Sequence, residues 1–263
     1  MLFNFKKQEQ KIKFGISYSI FDGEELLEAS IKQIRNLVDY INVVYQEVSW
    51  NGKFKNHNLR NYLENLKNKG LIDEIILFEP DISLPAGTNE LNKRNVGLKF
   101  AIDKKCTHFM CMDTDEFYIH DEFKRMQESI IENNIDFAFC PILNYGTKPT
   151  LRMKKLGFYA VALFAKINKA SKLGASSLKI CLCDPTRVIK LKKNTKSFFF
   201  CDIQMHHLTY VRNDLNIKLK ASSNEIVNNQ KIEEIITLDN DCYSVENLFD
   251  IRFSESKIDE KIL

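Results

Sequence analysis

Residues 107–118 read Thr107-His-Phe-Met-Cys-Met-Asp-Thr-Asp-Glu-Phe-Tyr118. The apolar run Phe109-Met-Cys-Met112 has the length and character of a buried strand. It ends in two carboxylates, Asp113 and Asp115, spaced i and i+2 and delivered to the strand's open end. Working upstream, 89–104 reads as a helix with Leu91, Val96, Leu98 and Ala101 as core positions. Residues 72–78 form a strand that Pro80 stops, and 57–69 a helix that Gly70 ends. Residues 41–45 are another strand. Asp22-Gly-Glu-Glu25 opens the first helix, with Asp22 as cap and Glu25 at the reciprocal position of a capping box. Leu27, Ile31, Ile34 and Val38 recur at helical spacing behind it, and 13–19 is the first strand. Strands and helices thus alternate through four strands in the first 110 or so residues. That rhythm specifies an α/β fold whose mainly parallel, Rossmann-like sheet has helices on both faces. Ligands in such sheets bind at the carboxyl ends of the strands, which is where the acids at 113–116 fall.

Downstream the rhythm breaks. Strands are expected at 136–141, 158–167 and 197–203, linked by basic loops, and a helix at 213–228. The last 35 residues are polar and acidic, and short packed helices are expected there. The organisation that follows is a tail at 1–12, one α/β domain at 13–215 in two halves (about 13–118 and 135–215), and a small helical extension at 216–263.

Composition is that of a globular protein: 263 residues, 44% hydrophobic and 28% charged. No apolar run reaches the roughly 18 residues of a spanning helix, and the first residues lack the apolar segment of a secretory signal. A cytoplasmic chain is expected, with its seven cysteines reduced and mostly buried. The net charge of +3 is uneven: residues 137–201 hold thirteen Lys and Arg and one acid, Asp184. A positive face should favour anionic partners, or else be a solvated surface. Lys190-Leu-Lys-Lys-Asn-Thr-Lys196 lacks the aromatic interleaving of a nucleic-acid site, so no nucleic-acid partner is expected.

Two carboxylates at i and i+2 past a buried strand can reach one hard cation through oxygen ligands. The competing reading is a solvated acidic turn. A second feature is Met205-His-His-Leu-Thr-Tyr-Val-Arg212. If this run is strand-like, His206 and His207 point to opposite sides, so one of them alone can join the cation. His207 is the candidate third ligand, through a neutral imidazole.

Asp113-Thr-Asp-Glu-Phe117, Lys93-Arg-Asn-Val-Gly97 before it and His206-His-Leu-Thr-Tyr-Val-Arg212 after it resemble segments of GT-A-fold glycosyltransferases. The likeness is to the family-2-like and family-92-like bacterial enzymes of surface polysaccharide synthesis, and it covers roughly 13–215. It implies a metal-dependent, inverting transfer of a sugar from a nucleoside diphosphate donor to a glycan or glycolipid, in lipopolysaccharide, lipooligosaccharide or capsule assembly. The implied ion is Mn²⁺ or Mg²⁺, held by Asp115 and His207. Asp113, counted with the metal residues, would contact the ribose or the metal's water shell, and Thr114, between the two acids, would contact the donor. Ser17, Tyr18 and Ile20, at the end of the first strand, would face the nucleotide, and Arg94 would contact the donor. A UDP-sugar is favoured, with a GDP-sugar as alternative. Family-2 enzymes read the base with an Asp after the second strand; here the run is Tyr45-Gln-Glu-Val-Ser49, which places Gln46 there instead. An inverting enzyme needs a carboxylate to take the acceptor's proton. Asp184 is the candidate and Asp202 the reserve, although Asp184 before Pro185 also reads as a turn residue. The acceptor half is the later one, its basic stretch suited to an anionic, lipid-linked acceptor and to peripheral contact with a membrane. A nucleotidyltransferase is the rival enzyme class, disfavoured because Ser17-Tyr-Ser-Ile-Phe-Asp-Gly23 is no Gly-rich phosphate loop. An inactive sugar-nucleotide-binding protein is the rival outside enzymes.

Overall fold

The computed structural model describes residues 11–155, 157, 159–174, 182–190, 194–221, 232–249, 251 and 259–260. In chain order its elements are β1 (Phe14–Ile20), α1 (Glu24–Ile34), β2 (Tyr40–Tyr45), β3 (Phe54–Lys55), α2 (Leu59–Asn68), β4 (Glu74–Leu77), α3 (Ala86–Asp103), β5 (His108–Asp113), β6 (Glu116–Phe117) and α4 (His120–Glu132). There follow β7 (Phe137–Asn144), β8 (Leu151–Met153), β9 (Ala160–Lys166), β10 (Ser197–Phe199), β11 (Met205–His207), α5 (Leu215–Ala221), α6 (Ile232–Leu238), β12 (Cys242–Ser244) and β13 (Asp259–Glu260).

A nine-stranded sheet in the order β4-β2-β1-β5-β9-β7-β11-β6, with β10 also on β7, forms the centre. Its first four strands are parallel, the α/β half expected from the sequence. The second half is mixed: β9 runs antiparallel to both β5 and β7, while β11 is parallel to β7 and antiparallel to β6. The pleat of β5 sends Phe109 and Cys111 into the core under α3, and Met110 and Met112 into the core under α1, α2 and α4. Burial on both faces is why this strand reads as one continuous apolar run. Register then aligns the site: Ser19 pairs with Asp113, His207 with Glu116 on one side and with Asn144 on the other.

Several expectations are corrected. No capping box forms at α1. Its N-cap is Gly23 at φ 78°, with no side-chain cap, because Glu25 instead accepts the Asn213 amide at 2.9 Å. On α3 the apolar positions Leu91 and Val96 are half-buried, while Lys93 and Arg94 are buried on the face turned to the sheet. Of the run from Met205 to Arg212 only Met205–His207 is a strand, and the strand expected at 197–203 stops at Phe199. The C-terminal segment is not purely helical: β12 pairs with β8. Residues 1–10 of the expected tail, 222–231, and Lys192 and Lys193 lie outside the described residues, as does Cys181. Of the other six cysteines, Cys106, Cys111 and Cys140 are buried, as expected, and Cys201 is exposed. Among the described residues no helix is long and apolar enough to cross a membrane.

Glu24, the first residue of α1, is held against the Asn56 amide at 3.4 Å. Burial pushes its carboxyl up to about 7. Between the ordinary range near 4.5 and about 7 the folded chain therefore holds a proton that the unfolded chain has lost. Stability falls as pH rises through that window, by ~3 kcal/mol in all. Glu24→Gln removes the ionisation and can still accept from Asn56. Its melting temperature should match the parent's near pH 4.5 and exceed it by several degrees at pH 8. An equal difference at both pH values would rule out this linkage.

Candidate functional site

The site is assembled where β1 and β5 end side by side and α3 passes over them. Helix and sheet come close because residue 97 is glycine: a Cβ there would collide with Ser17 Oγ. The approach carries Lys93 and Arg94, one turn earlier on the helix, past the strand ends. A second glycine matters for its conformation. At Gly23, with φ 78°, a side chain would also meet the Arg212 guanidinium carbon at 2.8 Å and Thr114 Oγ1 at 2.9 Å. The first turn of α1 thus packs on the acidic loop and leaves a cleft of about 110 Å³. Its walls are Ser19 to Asp22, Trp50, Glu90, Lys93, Asp113 to Asp115, Arg212, Lys218 and Ala221.

The two acids of the Asp-Thr-Asp run have different surroundings. Asp113 faces the helix side. It pairs with Arg94 at 3.1 Å and also with Arg187, and these guanidiniums overcome the effect of burial and hold it below the usual carboxylate range. Arg187 reaches on to Glu116 at 2.6 Å, yet burial pushes the Glu116 carboxyl up to about 7. Asp115 faces the cleft. Its Oδ2 accepts from Arg212 at 2.6 Å, Lys218 at 3.1 Å and Thr209 at 3.2 Å. Burial alone would raise its pKa, but Lys218 and Arg212 outweigh that and keep it ionised well below the usual range.

Asp115 Oδ1 points to His207 Nε2, 3.8 Å away. The His207 Nδ1 lies 3.2 Å from Asn144 Oδ1, an acceptor only. That contact fixes the tautomer: Nδ1 carries the proton and Nε2 keeps its lone pair toward Asp115. Burial lowers the His207 pKa, with Asp115 opposing, so the ring favours the neutral form. His206 lies on the opposite side of β11, 2.8 Å from the Tyr145 hydroxyl and against Phe249, and burial pushes its pKa down to about 4.

Of the other sequence candidates, Ile20 and Thr114 line the cleft, and Thr114 donates to the Asp22 carbonyl at 3.4 Å. Ser17 and Tyr18 do not reach it. Ser17 is packed under Gly97, and the Tyr18 hydroxyl bonds Ser30 at 2.9 Å on the opposite face of the sheet. Residues inside a strand feed the two cores, and the chain opens to the cleft only from Ser19 onward. Gln46 is buried beneath the cleft, where it holds Lys93. Asp184 caps a short 3₁₀ turn through Thr186 at 2.8 Å and also stands behind the arginines, 3.8 Å from Arg94 and 3.5 Å from Arg187. The turn reading of Asp184 holds, and like Asp202 it is not among the walls of the cleft. Asp202 is exposed beside Glu122 of α4 and contributes nothing to the cleft lining.

The sequence reading gave no part in the site to Asp22, which it used only as a helix cap, nor to Trp50, Lys93, Arg187, Arg212 or Lys218. Arg212 and Lys93 carried a signal, since both lie inside the segments that define the resemblance. Arg187 was counted as part of a basic surface, but it is turned inward.

No protein-family profile and no curated protein sequence matches the chain. Solved structures similar to it include TarS of S. aureus in complex with UDP-GlcNAc, at 10% identity over 86% of this chain and 70% of that one, with a TM-score of 0.42. TarS of S. aureus is also matched at 16% identity over 51% of this chain and 22% of that one, TM-score 0.39. Mannose-1-phosphate geranyltransferase from Thermus thermophilus is matched at 13% identity over 59% of this chain and 50% of that one, TM-score 0.34. Against the TarS chains matched over about half of this chain, it spans only 22% to 37% of their length.

Proposed function

We propose that the chain is a glycosyltransferase that takes a sugar from a nucleoside diphosphate donor bound in this cleft. The observation that carries the reading is the pairing, around one ionised carboxylate, of a lone-pair-bearing imidazole with two cations that line the cleft. Asp115 Oδ1 and His207 Nε2 fit a hard divalent cation such as Mn²⁺ or Mg²⁺. Among the described residues no cluster of three such side chains is present. Two protein ligands suffice where substrate phosphates and water fill the remaining positions. Asp113 is left to its arginines and is not among the proposed ligands. When bound, the ion neutralises charge growing on the leaving diphosphate.

The chain's own residues supply the rest. Arg212 and Lys218 are the donors placed to exchange Asp115 Oδ2 for phosphate oxygens, and Arg212 can hold them in bidentate fashion. Asp22, with its carboxylate 4.0 Å from Arg212 Nε, lies next to this position and can accept from a ribose hydroxyl. Arg94 and Arg187 keep Asp113 and Glu116 from repelling the donor. The acceptor's proton goes to Asp184 in this reading. With 40% of its side chain exposed, it is the most open carboxylate of the cluster. The acceptor is proposed to be a glycan or lipid-linked glycan, met by the later half of the chain.

A panel of UDP- and GDP-sugars tests the reading. At least one should be hydrolysed or transferred, faster with Mn²⁺ or Mg²⁺ than in chelator. No turnover of any member under either condition would overturn it. The histidines give a sharper check. His207→Ala should remove the metal stimulation, whereas His206→Ala should keep it and lower the melting temperature instead, since it vacates a buried site. The reverse pattern would reassign the ligand.

A further inference from the structure

The cleft is also lined by Trp50 and Lys93, to which the placement proposed above for the diphosphate and its ion gives no part. Trp50 stands edge-on to Phe78 with ring centres 6.4 Å apart and planes at 66°. Lys93 lies under it, its Nζ 5.3 Å from the indole centre. This lysine is 1% exposed, and the carboxylates of Asp113, Glu90 and Asp22 act on it through space rather than by a direct ion pair among the described residues. A buried lysine without an acid partner is rare. Its Nζ donates to neutral acceptors, the Ile20 carbonyl at 2.8 Å and Gln46 Oε1 at 3.0 Å, and burial lowers its pKa to about 7. An ammonium has three N–H donors. In that form two are committed, and the lysine lines the cleft, so the third is left for an entering acceptor, which in turn favours the charged lysine, whereas an entering donor does not. Gln46 is the residue that stands where an acid was expected from the resemblance, and it faces Lys93 rather than the cleft.

Resting on the reading of the cleft as a nucleotide-sugar site, we infer that Trp50 and Lys93 form the subsite for the donor's base, and that it selects a base bearing a carbonyl, uracil or guanine, over cytosine or adenine. Trp50 supplies a face for stacking, which is tolerant of base identity. Lys93 supplies the discrimination. Uracil and guanine present an oxygen where cytosine and adenine present an amino group. An amine opposite Lys93 sets donor against donor and leaves buried groups unpaired, which costs more than a missing contact. Gln46 is a positioning residue in this scheme, since it orients Lys93 without touching the base.

Trp50 is the chain's single tryptophan, so intrinsic fluorescence reports this part of the cleft alone. The full chain is titrated with UDP, CDP, GDP and ADP in Mn²⁺, and the affinities are repeated by calorimetry. UDP is expected to bind at least about tenfold more tightly than CDP, or GDP than ADP, with a change in Trp50 emission; which pair shows it identifies the base. Lys93→Gln should bring the pair within about twofold. Trp50→Leu should weaken all four by about tenfold and leave the ratio unchanged. Equal affinities within both pairs, or a ratio that survives Lys93→Gln, would overturn the subsite. Should Lys93→Gln not fold, the parent ratios and the Trp50→Leu series decide by themselves. Binding without discrimination refutes the subsite and spares the glycosyltransferase reading, whereas no binding of any nucleotide removes that reading itself.

Discussion

Asp115→Asn is expected to lower sugar transfer by roughly 10²- to 10³-fold, the loss typical of a group that organises charge in a transition state. The argument is geometric. Asp115 holds four partners in register, His207 through Oδ1 and Arg212, Lys218 and Thr209 through Oδ2. An amide keeps the size of the side chain but loses the charge, and it offers a single acceptor oxygen. The proposed ion loses a ligand, and the two cations lose their resting partner. Calorimetry of UDP binding separates the two effects. In the parent chain Mn²⁺ should tighten UDP at least about tenfold, and in Asp115→Asn this enhancement should vanish. Metal-free affinity should hold or improve, because Arg212 and Lys218 become free to meet phosphate. An unchanged enhancement in the variant would mean that Asp115 is not a ligand and serves only as the counter-ion of two basic residues.

Arg187→Met is expected to destabilise the fold by about 3–5 kcal/mol, the cost of leaving buried charges unpaired. Its melting temperature should fall by about 10 °C in a chain of this size. Arg187 is 9% exposed and touches Asp113, Glu116 and Asp184 together. A methionine fills much of the space, so the loss is chiefly electrostatic. That origin has a pH signature. Glu116, already at about 7 with its arginine in place, binds a proton still more readily without it. The deficit should therefore shrink between pH 8 and pH 5 as that proton neutralises one of the stranded charges. A deficit independent of pH would point to lost packing and reject the ionic account.

The parallel half of the sheet was legible because burial on both faces leaves an unmistakable record in strands such as Phe109 to Met112 and Ile41 to Tyr45. Helix ends were less legible. Asp22 and Glu25 match the pattern of a reciprocal cap, yet tertiary partners claimed Glu25. At the site, alternation along a strand was enough to separate His206 from His207. It could not distinguish Asp113 from Asp115, because that difference comes from Arg187 and Lys218, which lie more than 70 residues away. Lys93 went unassigned because a buried lysine contradicts the composition rule that makes the rest of α3 readable.

The partners of Asp115 lie far along the chain: Arg212 is 97 residues downstream and Lys218 is 103. This has a consequence for how the molecule matures. The neighbouring contacts of the parallel half can form early during synthesis, but burying Asp115 then would strand a bare carboxylate. Water must remain around it until residue 218 has emerged and docked. The surroundings of Asp115 are therefore the last part to become dry. A nascent chain shorter than that can possess most of its sheet and still have no assembled cleft.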